Sequence, residues 1–210
     1  MKKITRKNLE KFLKKYATDK KILDVGSGGS SYERFFPNRL SVDIDPERRP
    51  DIVADAQNLP FQNEEFDFVL CTEMLEHTEN PFAVEKELHR VLKVGGTLLL
   101  TTRFVYPLHD TPHDYWRFTK YGLLKIFREW ELVEIIAETS SFSTIAALLQ
   151  RIQFQSILKA NKLSKLLMQL FIVLFDNLNW VLHEEYGDIK RKNREEDIMT
   201  TGYYIVVKKK

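Results

Sequence analysis

The sequence has little that would direct the chain out of a reducing compartment. Cys71 is its single cysteine, so an internal disulfide cannot form. Residues 1–15 are charged and lack the apolar stretch of a signal peptide. These absences predict a cytoplasmic protein.

Charge of one sign and long hydrophobic runs are also scarce. The 32 basic and 30 acidic residues nearly cancel to a formal charge of +2, which gives no excess to attract nucleic acid, so no nucleic-acid partner is expected. The most apolar window, residues 163–182, is interrupted by polar and charged side chains that are costly in a bilayer, which argues against a membrane span. Those side chains are Lys165, Gln169, Asp176, Asn177 and Asn179.

Short apolar runs alternate with helical patterns over the first 138 residues. This alternation predicts an α/β fold, a Rossmann-like doubly wound sheet that is mostly parallel and covered by helices. The predicted strands are residues 21–25, 40–43, 51–54, 66–71, 97–102 and 132–138. The clearest helix covers residues 81–93, with Asn80 as N-cap and Gly95 beyond its end, and further helices are expected at 7–16 and 121–130.

The pattern changes after Ser140. Leucine and phenylalanine recur at helical spacing, and no strand is expected before residues 202–207. The sequence therefore predicts one domain over residues 1–210 that carries a helical insertion at 141–198. At least two helices are expected there. Because the helix is apolar nearly all round over residues 166–175, the insertion could be a lid, a homodimer contact or a peripheral membrane contact.

A glycine turn follows the first predicted strand. Gly26, Ser27, Gly28 and Gly29 lack bulky side chains, so a ligand can approach the backbone and meet free N–H groups where a helix would begin. A dinucleotide such as NAD could use the same turn, but the third glycine of that fingerprint is replaced by Ser31. On this feature alone, a tight turn that binds no ligand is also a valid interpretation.

Aspartates end the next two predicted strands. Asp43, about 20 residues after Asp24, stands where a carboxylate can accept hydrogen bonds from both hydroxyls of a ribose. Asp55 follows the third strand, where it and neighbouring backbone groups could contact an adenine edge. Each could be a solvated strand end, but together with the glycine turn they favour a nucleoside ligand.

The chain resembles the class I S-adenosylmethionine-dependent methyltransferases, in particular the small bacterial type with the type-11 methyltransferase domain. The matching motifs are Asp24-Val25-Gly26-Ser27-Gly28-Gly29, Val42-Asp43-Ile44-Asp45, Asp55 through Leu59-Pro60-Phe61, Phe66-Asp67-Phe68-Val69-Leu70-Cys71 with Leu75-Glu76-His77, and Arg90-Val91-Leu92-Lys93-Val94-Gly95-Gly96. They span about half the chain. Ser30 departs from the pattern because it replaces a third glycine.

This resemblance implies seven strands with an antiparallel last strand, and S-adenosylmethionine as cofactor. It implies that Gly26 and Gly28 line the methionine end, Asp43 holds the ribose, Asp55 and Ala56 flank the adenine, and the turn from Cys71 to Met74 passes beneath the cofactor. The expected cofactor set is Asp24, Gly26, Ser27, Gly28, Asp43, Ile44, Asp55, Ala56, Cys71 and Met74.

The loop after the fifth strand is rich in histidine. A loop at this point lies over the ligand crevice of a doubly wound sheet. We hypothesise that His113 is a general base oriented by Asp114 or a nearby carboxylate, with His77 as a second candidate. Tyr115, Trp116 and Arg117 are expected to line the acceptor pocket. The stretch around them resembles one in small bacterial methyltransferases that are associated with clusters for surface polysaccharides and other glycans.

The same loop residues also have purely structural interpretations. His113 and Asp114 could merely cap the helix that starts near Thr119, and Trp116 and Phe118 could be core residues. Four residues, His109, Asp110, His113 and Asp114, could in principle ligate a metal, but loop residues four apart need not converge, so no metal is predicted.

The motifs together predict an enzyme that transfers a methyl group from S-adenosylmethionine. The expected acceptor is a hydroxyl of a small molecule or glycan-type compound, because histidine can take the proton that a hydroxyl must lose. The alternatives are an NAD-dependent oxidoreductase and a non-catalytic, cofactor-binding regulatory protein.

Overall fold

The computed structural model describes residues 3–29, 32–159 and 161–210. The chain divides into two compact units. The sheet unit comprises Phe12–Arg103, Leu108–Ile136 and Tyr203–Lys210, and the helical unit comprises Met1–Lys11, Phe104–Pro107 and Ala137–Gly202.

Five α-helices and nine strands occur within the described residues. The helices are α1 (Ile4–Lys15), α2 (Pro81–Val91), α3 (Lys120–Ile126), α4 (Ser141–Gln155) and α5 (Lys162–Asp176). The strands are β1 (Ile22–Val25), β2 (Arg39–Asp43), β3 (Ile52–Val53), β4 (Phe66–Thr72), β5 (Leu92–Arg103), β6 (Glu131–Ala137), β7 (Tyr186–Asp188), β8 (Asn193–Arg194) and β9 (Gly202–Lys208).

Seven strands form one sheet in the order β3-β2-β1-β4-β5-β9-β6. β1 pairs in parallel with β2 and with β4, and all four of its residues are buried, as expected for a strand covered on both faces. β9 is antiparallel to β5, since Gly95 at the start of β5 bonds Lys209 after the end of β9. The predicted Rossmann-like sheet and its antiparallel last strand are confirmed.

The strand order reverses direction between β1 and β4. β2 and β3 extend from one side of β1, whereas β4 and β5 extend from the other. Such a switch point leaves a crevice outside the carboxyl ends of the two strands, where doubly wound folds bind ligands. The residues that follow Val25 and Thr72 therefore lie at this crevice.

Helix α2 begins as predicted but ends early. The Asn80 side chain accepts a hydrogen bond from the Ala83 N–H, and Pro81 occupies the first turn, where its missing N–H is not needed. The helix ends at Val91 because β5 starts at the next residue. The predicted stop beyond Lys93 is therefore wrong: Gly95 lies within β5, where it bonds Lys209.

No helix follows the glycine turn within residues 32–38, which form turns instead. The expected helix start is therefore not found in this part of the chain, and the turn presents backbone N–H groups without a helix dipole behind them. Ser30 and Ser31 stand where the methyltransferase and dinucleotide patterns each have a third glycine. Both lie outside the described residues.

The helical unit contains α4 and α5. Ala146 and Ala147 of α4 pack with Ile172 of α5 and with Ile4 in a small buried cluster. The two predicted helices are present, but the antiparallel hairpin of β7 and β8 was not expected there. Within the described residues, neither these helices nor any other has the length and apolarity to cross a bilayer.

Candidate active site

The turn after β1 is built on glycine conformations. Gly26, Gly28 and Gly29 have φ angles of +70°, +56° and +68°, which residues with a β-carbon rarely adopt. The N–H groups of Gly26 and Ser27 both donate to the Val42 carbonyl, at 2.8 and 3.1 Å. These bonds fix the turn to β2 at the crevice.

Met74 closes on this turn from the segment after β4. A β-carbon built at Gly26 would stand 2.1 Å from Cγ of Met74, so no larger residue fits between them. Cys71 differs from Met74 because its thiol is fully buried within β4, and burial raises its pKa well above the usual value. Of these two predicted cofactor residues, only Met74 reaches the turn, whereas the Cys71 side chain belongs to the core.

Asp24 is a buried carboxylate at the base of the turn. Its Oδ2 accepts a hydrogen bond from Nη1 of Arg39 at 2.5 Å. Its Oδ1 is buried and has no hydrogen-bond partner among the described residues. Burial raises the pKa of Asp24 to about 6, although the Arg39 cation opposes the shift.

Asp43 ties the end of β2 to the glycine turn. Its Oδ2 accepts the Gly28 N–H at 2.7 Å, and its Oδ1 accepts the Asp45 N–H at 3.0 Å. Each carboxylate oxygen can accept a further bond, so the group can still receive two hydroxyl donors. The next side chain, Ile44, is 68% exposed and offers an apolar face beside the carboxylate.

Asp55 organises the loop after β3. Its Oδ1 accepts the Gln57 N–H at 2.8 Å, the arrangement of an Asx turn, while its carbonyl accepts the Asn58 N–H. Asp55 and Ala56 are both half-buried. This local turn is also what a purely structural aspartate would make, so the geometry leaves a role toward adenine as a proposal.

The histidine-rich loop is fastened to the segment after β4. The N–H groups of Tyr115 and Trp116 both donate to the Glu76 carbonyl, at 3.0 and 3.1 Å. The indole Nε1 of Trp116 also donates to the Thr78 carbonyl at 2.9 Å. The loop and this segment therefore form one connected edge of the crevice.

His113 is exposed and contacts a neighbouring phenol. Its Nδ1 lies 2.9 Å from the Tyr115 hydroxyl, and its backbone carbonyl accepts a hydrogen bond from Nδ1 of His77 at 2.6 Å. Tyr115 and Trp116 are both partly exposed, so Trp116 is not a core residue. Thr119 is the N-cap of α3, which removes the capping interpretation of His113 and Asp114.

Asp114 lies beside a different histidine from the one predicted. Its carboxylate receives two hydrogen bonds from the Arg117 guanidinium, at 2.6 and 2.7 Å, and accepts the His109 N–H at 3.0 Å. The Arg117 bonds hold the pKa of Asp114 down to about 2. The expectation that Asp114 orients His113 is wrong for this geometry, because its oxygens are engaged by Arg117 and His109.

Arg117 consequently has a partner within the loop. Its bidentate pair with Asp114 fixes the loop conformation, and its Nη1 also donates to the Trp116 carbonyl. A role for Arg117 in an acceptor pocket stays a proposal.

A buried carboxylate lies beside two histidines of this site. Glu76 is fully buried, and its Oε2 accepts a hydrogen bond from the Thr102 hydroxyl at 2.7 Å. Burial raises its pKa, while the Arg103 cation opposes the shift. The imidazoles of His77 and His109 lie next to it, with ring centroids 4.6 Å apart.

The sequence did not indicate that Glu76 lies beside His109. It grouped His109 with other loop residues as possible metal ligands. Of the four loop residues considered as metal ligands, only His109 belongs to the group of converging ligand atoms found in the described part of the chain, together with Glu76 and His77. The adjacent Glu76-His77 after a buried strand was the available signal. Its meeting with His109 could not be read from spacing.

Comparison with known proteins gives a family match and several relatives in sequence. Residues 23–100 match the family model described as Methyltransferase domain. An uncharacterized protein of Methanocaldococcus jannaschii is 34% identical over 96 residues, which cover 42% of this chain and 47% of that protein. The ubiquinone biosynthesis O-methyltransferase of Pseudomonas aeruginosa is 32% identical over 105 residues, covering 40% and 44%. The chain thus spans less than half the length of either relative.

Solved structures match nearly the whole chain in fold. Geranyl diphosphate C-methyltransferase from Streptomyces coelicolor, in complex with Mg²⁺, geranyl diphosphate and S-adenosylhomocysteine, gives a TM-score of 0.60 at 13% identity, over 97% of this chain and 77% of that one. Phosphoethanolamine N-methyltransferase 2 from Haemonchus contortus, in complex with S-adenosylmethionine, gives 0.59 at 16% identity, over 97% and 52%.

At these identities the structural matches show the fold alone, while the sequence matches cover the glycine turn and the aspartates that follow it. Because the family model runs from β1 into β5 and the sheet has the Rossmann-like methyltransferase fold, the chain is similar to the class I S-adenosylmethionine-dependent methyltransferases.

Proposed function

We propose that the chain binds S-adenosylmethionine and transfers its methyl group to a hydroxyl of a small-molecule or glycan-type acceptor. The observation that carries the proposal is the bond from Gly28 N–H to the Asp43 carboxylate at the switch point. It fixes a backbone turn that can receive the methionine end beside a carboxylate that can receive ribose hydroxyls.

The cofactor's own donors and acceptors fit the groups on this edge. Its ammonium can donate to the unpartnered Oδ1 of Asp24, and its carboxylate can accept from backbone N–H groups of the turn. The adenine can lie on the exposed Ile44 side chain, with Asp55 and Ala56 beside its edge.

Methyl transfer is a displacement at carbon. The acceptor oxygen forms a bond to the methyl carbon while the carbon–sulfur bond breaks and its electron pair stays on sulfur, which leaves S-adenosylhomocysteine. The hydroxyl proton passes to a base. Positioning supplies much of the rate of such a step, and proton removal adds to it.

His113 is the proposed base, with Tyr115, Trp116 and Arg117 shaping the acceptor side. The exposed imidazole can exchange its proton with solvent, and the Tyr115 hydroxyl at 2.9 Å orients the ring. His77 is the second candidate, but its Nδ1 is already engaged by the His113 carbonyl. The O-methyltransferase named among the relatives supports a hydroxyl acceptor by similarity alone.

Two other functions stay in competition. An NAD-dependent oxidoreductase would use the same crevice, but Ser31 stands at the third glycine of its fingerprint. A regulatory protein could bind the cofactor without transferring its methyl group.

A transfer assay separates a methyltransferase from a non-catalytic binder. Purified protein is incubated with S-adenosylmethionine labelled in the methyl group and a fractionated bacterial metabolite and glycan extract. We expect protein-dependent label in an acceptor fraction, with the product stable to base as a methyl ether is. Cofactor binding without any protein-dependent transfer would identify the non-catalytic binder, and a base-labile ester would exclude a hydroxyl acceptor.

A further inference from the structure

Glu76, His77 and His109 bring three metal-ligating side chains together. One ligand atom from each residue lies within 4.8 Å of the other two. Around a tetrahedral Zn²⁺ such atoms stand about 3.4 Å apart, so modest side-chain adjustments would bring all three into coordination distance.

Each histidine has an acceptor oxygen near its Nδ1, and for His77 the contact is a hydrogen bond. Nδ1 of His77 faces the His113 carbonyl at 2.6 Å, and a carbonyl can only accept, so this nitrogen carries the proton. The proton on Nδ1 leaves the lone pair on Nε2. An imidazole fixed in this way by a backbone carbonyl is the usual support of a metal-bound histidine.

His109 lies beside a carboxylate, but at a longer distance. Its Nδ1 lies 3.4 Å from Oδ2 of Asp114, and its Nε2 faces Oε1 of Glu76 at 3.9 Å. Asp114 is in turn held by the two bonds from Arg117. A small movement of the ring would allow Nδ1 to donate to this carboxylate, and such a pair raises ligand basicity at metal centres.

The Glu76 carboxylate has one satisfied and one unsatisfied oxygen. Oε2 accepts from the Thr102 hydroxyl, whereas Oε1 is buried with no hydrogen-bond partner in the described part of the chain and faces the cluster. A buried carboxylate oxygen without a partner is costly. A bound cation would satisfy it.

A competing positive charge near the cluster is partly compensated. Arg103 lies close enough to lower the pKa of Glu76, but its guanidinium forms an ion pair with Glu73. Repulsion between this cation and a metal ion would therefore be reduced.

We propose that Glu76, His77 and His109 form a binding site for a divalent first-row transition metal. Two imidazoles and one carboxylate favour Zn²⁺, Fe²⁺ or Mn²⁺ over Mg²⁺ and Ca²⁺, which prefer oxygen ligands. Three protein ligands leave at least one coordination position open to water or to an oxygen of a bound molecule.

The site lies at the same crevice edge as the glycine turn. Glu76 follows Met74 by two residues, and Met74 contacts Gly26. The metal site does not depend on the proposed methyl transfer, because it rests on ligand geometry alone.

Titration of the chelator-treated full chain tests the proposal. Co²⁺ binding is followed by its visible absorption, Zn²⁺ by competition with Co²⁺, and Mg²⁺ by calorimetry. We expect one equivalent of Co²⁺, its displacement by Zn²⁺, and no comparable binding of Mg²⁺. Saturation by Mg²⁺ alone, or no saturable binding of any of the three ions, would overturn the proposal.

Matched variants localise the ion. Glu76→Gln keeps the Thr102 hydrogen bond while removing the charge, and His109→Gln removes one imidazole; both should abolish stoichiometric Co²⁺ binding. Asp114→Asn should lower affinity about ten- to a hundredfold, because it weakens the support of His109 without removing a ligand. His183→Gln is the control, since this exposed histidine lies in the helical unit and should leave binding unchanged.

Thermal melting keeps the variants interpretable. Each variant must melt cooperatively without metal, and Zn²⁺ should raise the melting temperature of wild type and of His183→Gln but not of His109→Gln. Equal Zn²⁺ stabilisation of wild type and folded His109→Gln would contradict the assigned ligands.

Discussion

Met74 lies directly against the α-carbon of Gly26, so that a β-carbon at position 26 would stand 2.1 Å from Cγ of the methionine. This contact joins the turn after β1 to the segment after β4 across the switch point of the sheet. It also explains why position 26 requires glycine on two counts, the positive φ angle and the lack of space.

Gly26→Ala should therefore suffer from the collision with Met74 as well as from backbone strain. Gly95 is the matched control, because it has a similar φ angle of +75° but a β-carbon at that position would meet nothing within 4 Å. Both alanine variants should lose about 1–2 kcal/mol of unfolding free energy from the left-handed conformation, measured by urea denaturation. Only Gly26→Ala should lose cofactor affinity, by at least tenfold in calorimetry.

A compensating variant sharpens this test. Gly26→Ala combined with Met74→Ala removes the collision and should regain part of the lost stability. If Gly95→Ala weakened cofactor binding as much as Gly26→Ala, the turn would not be the binding element.

Asp43→Asn should weaken S-adenosylmethionine binding about a hundredfold. The change removes one charged acceptor from two ribose hydroxyls, and hydrogen bonds to charged groups contribute about 1.5–3 kcal/mol each. Asp51→Asn is the matched control because Asp51 also accepts two hydrogen bonds, both from Ser41, without a proposed ligand role. Similar affinity losses in both variants would indicate an effect on folding and not on the ribose.

Much of the crevice edge could be predicted from sequence. Gly26 and Asp55 follow short strands and Asp43 ends one, so the strand ends were readable, and parallel strands bring their ends to one edge. The end of α2 was misplaced because Gly95 is typical of a helix stop, whereas pairing with Lys209 makes it part of β5.

The loop contacts could not be predicted in the same way. Asp114 bonds His109 and Arg117 because the loop is folded against Glu76, a residue far away in sequence. No periodicity records such contacts. The hairpin at Tyr186–Asp188 was missed for a related reason: strands of two or three residues carry no alternation.

His113→Ala should lower turnover about a hundredfold or more if His113 is the general base. The backbone carbonyl that holds His77 is unchanged by this substitution, so the loop should keep its structure. His183→Ala is the control for loss of an exposed histidine outside the loop. The expected loss is in kcat with the acceptor from the transfer assay, and near-normal kcat would remove His113 from the mechanism.

The exposed apolar face of α5 should bind anionic vesicles. Leu166 and Leu170, one helical turn apart, are 56% and 57% exposed. Lys162 and Lys165 lie in the first turn of the same helix and can contact anionic headgroups. Burial of each leucine contributes about 1.5–3 kcal/mol. The double variant Leu166→Ser, Leu170→Ser should therefore stop flotation with vesicles that contain phosphatidylserine.

Ile157→Ser is the control, because Ile157 is fully exposed but lies outside α5. Wild-type protein that stays at the bottom of the gradient would remove the membrane contact. A wild-type dimer that the α5 double variant converts to monomer, with no flotation of either, would assign this face to a second copy of the chain.

Calorimetric titration of the full chain with S-adenosylmethionine, S-adenosylhomocysteine and NAD tests the cofactor edge most directly. Asp43, the glycine turn and Asp24 together predict saturable binding of the first two ligands at one site per chain, and no comparable binding of NAD. Binding of NAD in preference to both sulfur nucleosides, or binding of none of the three, would contradict the proposed use of this edge.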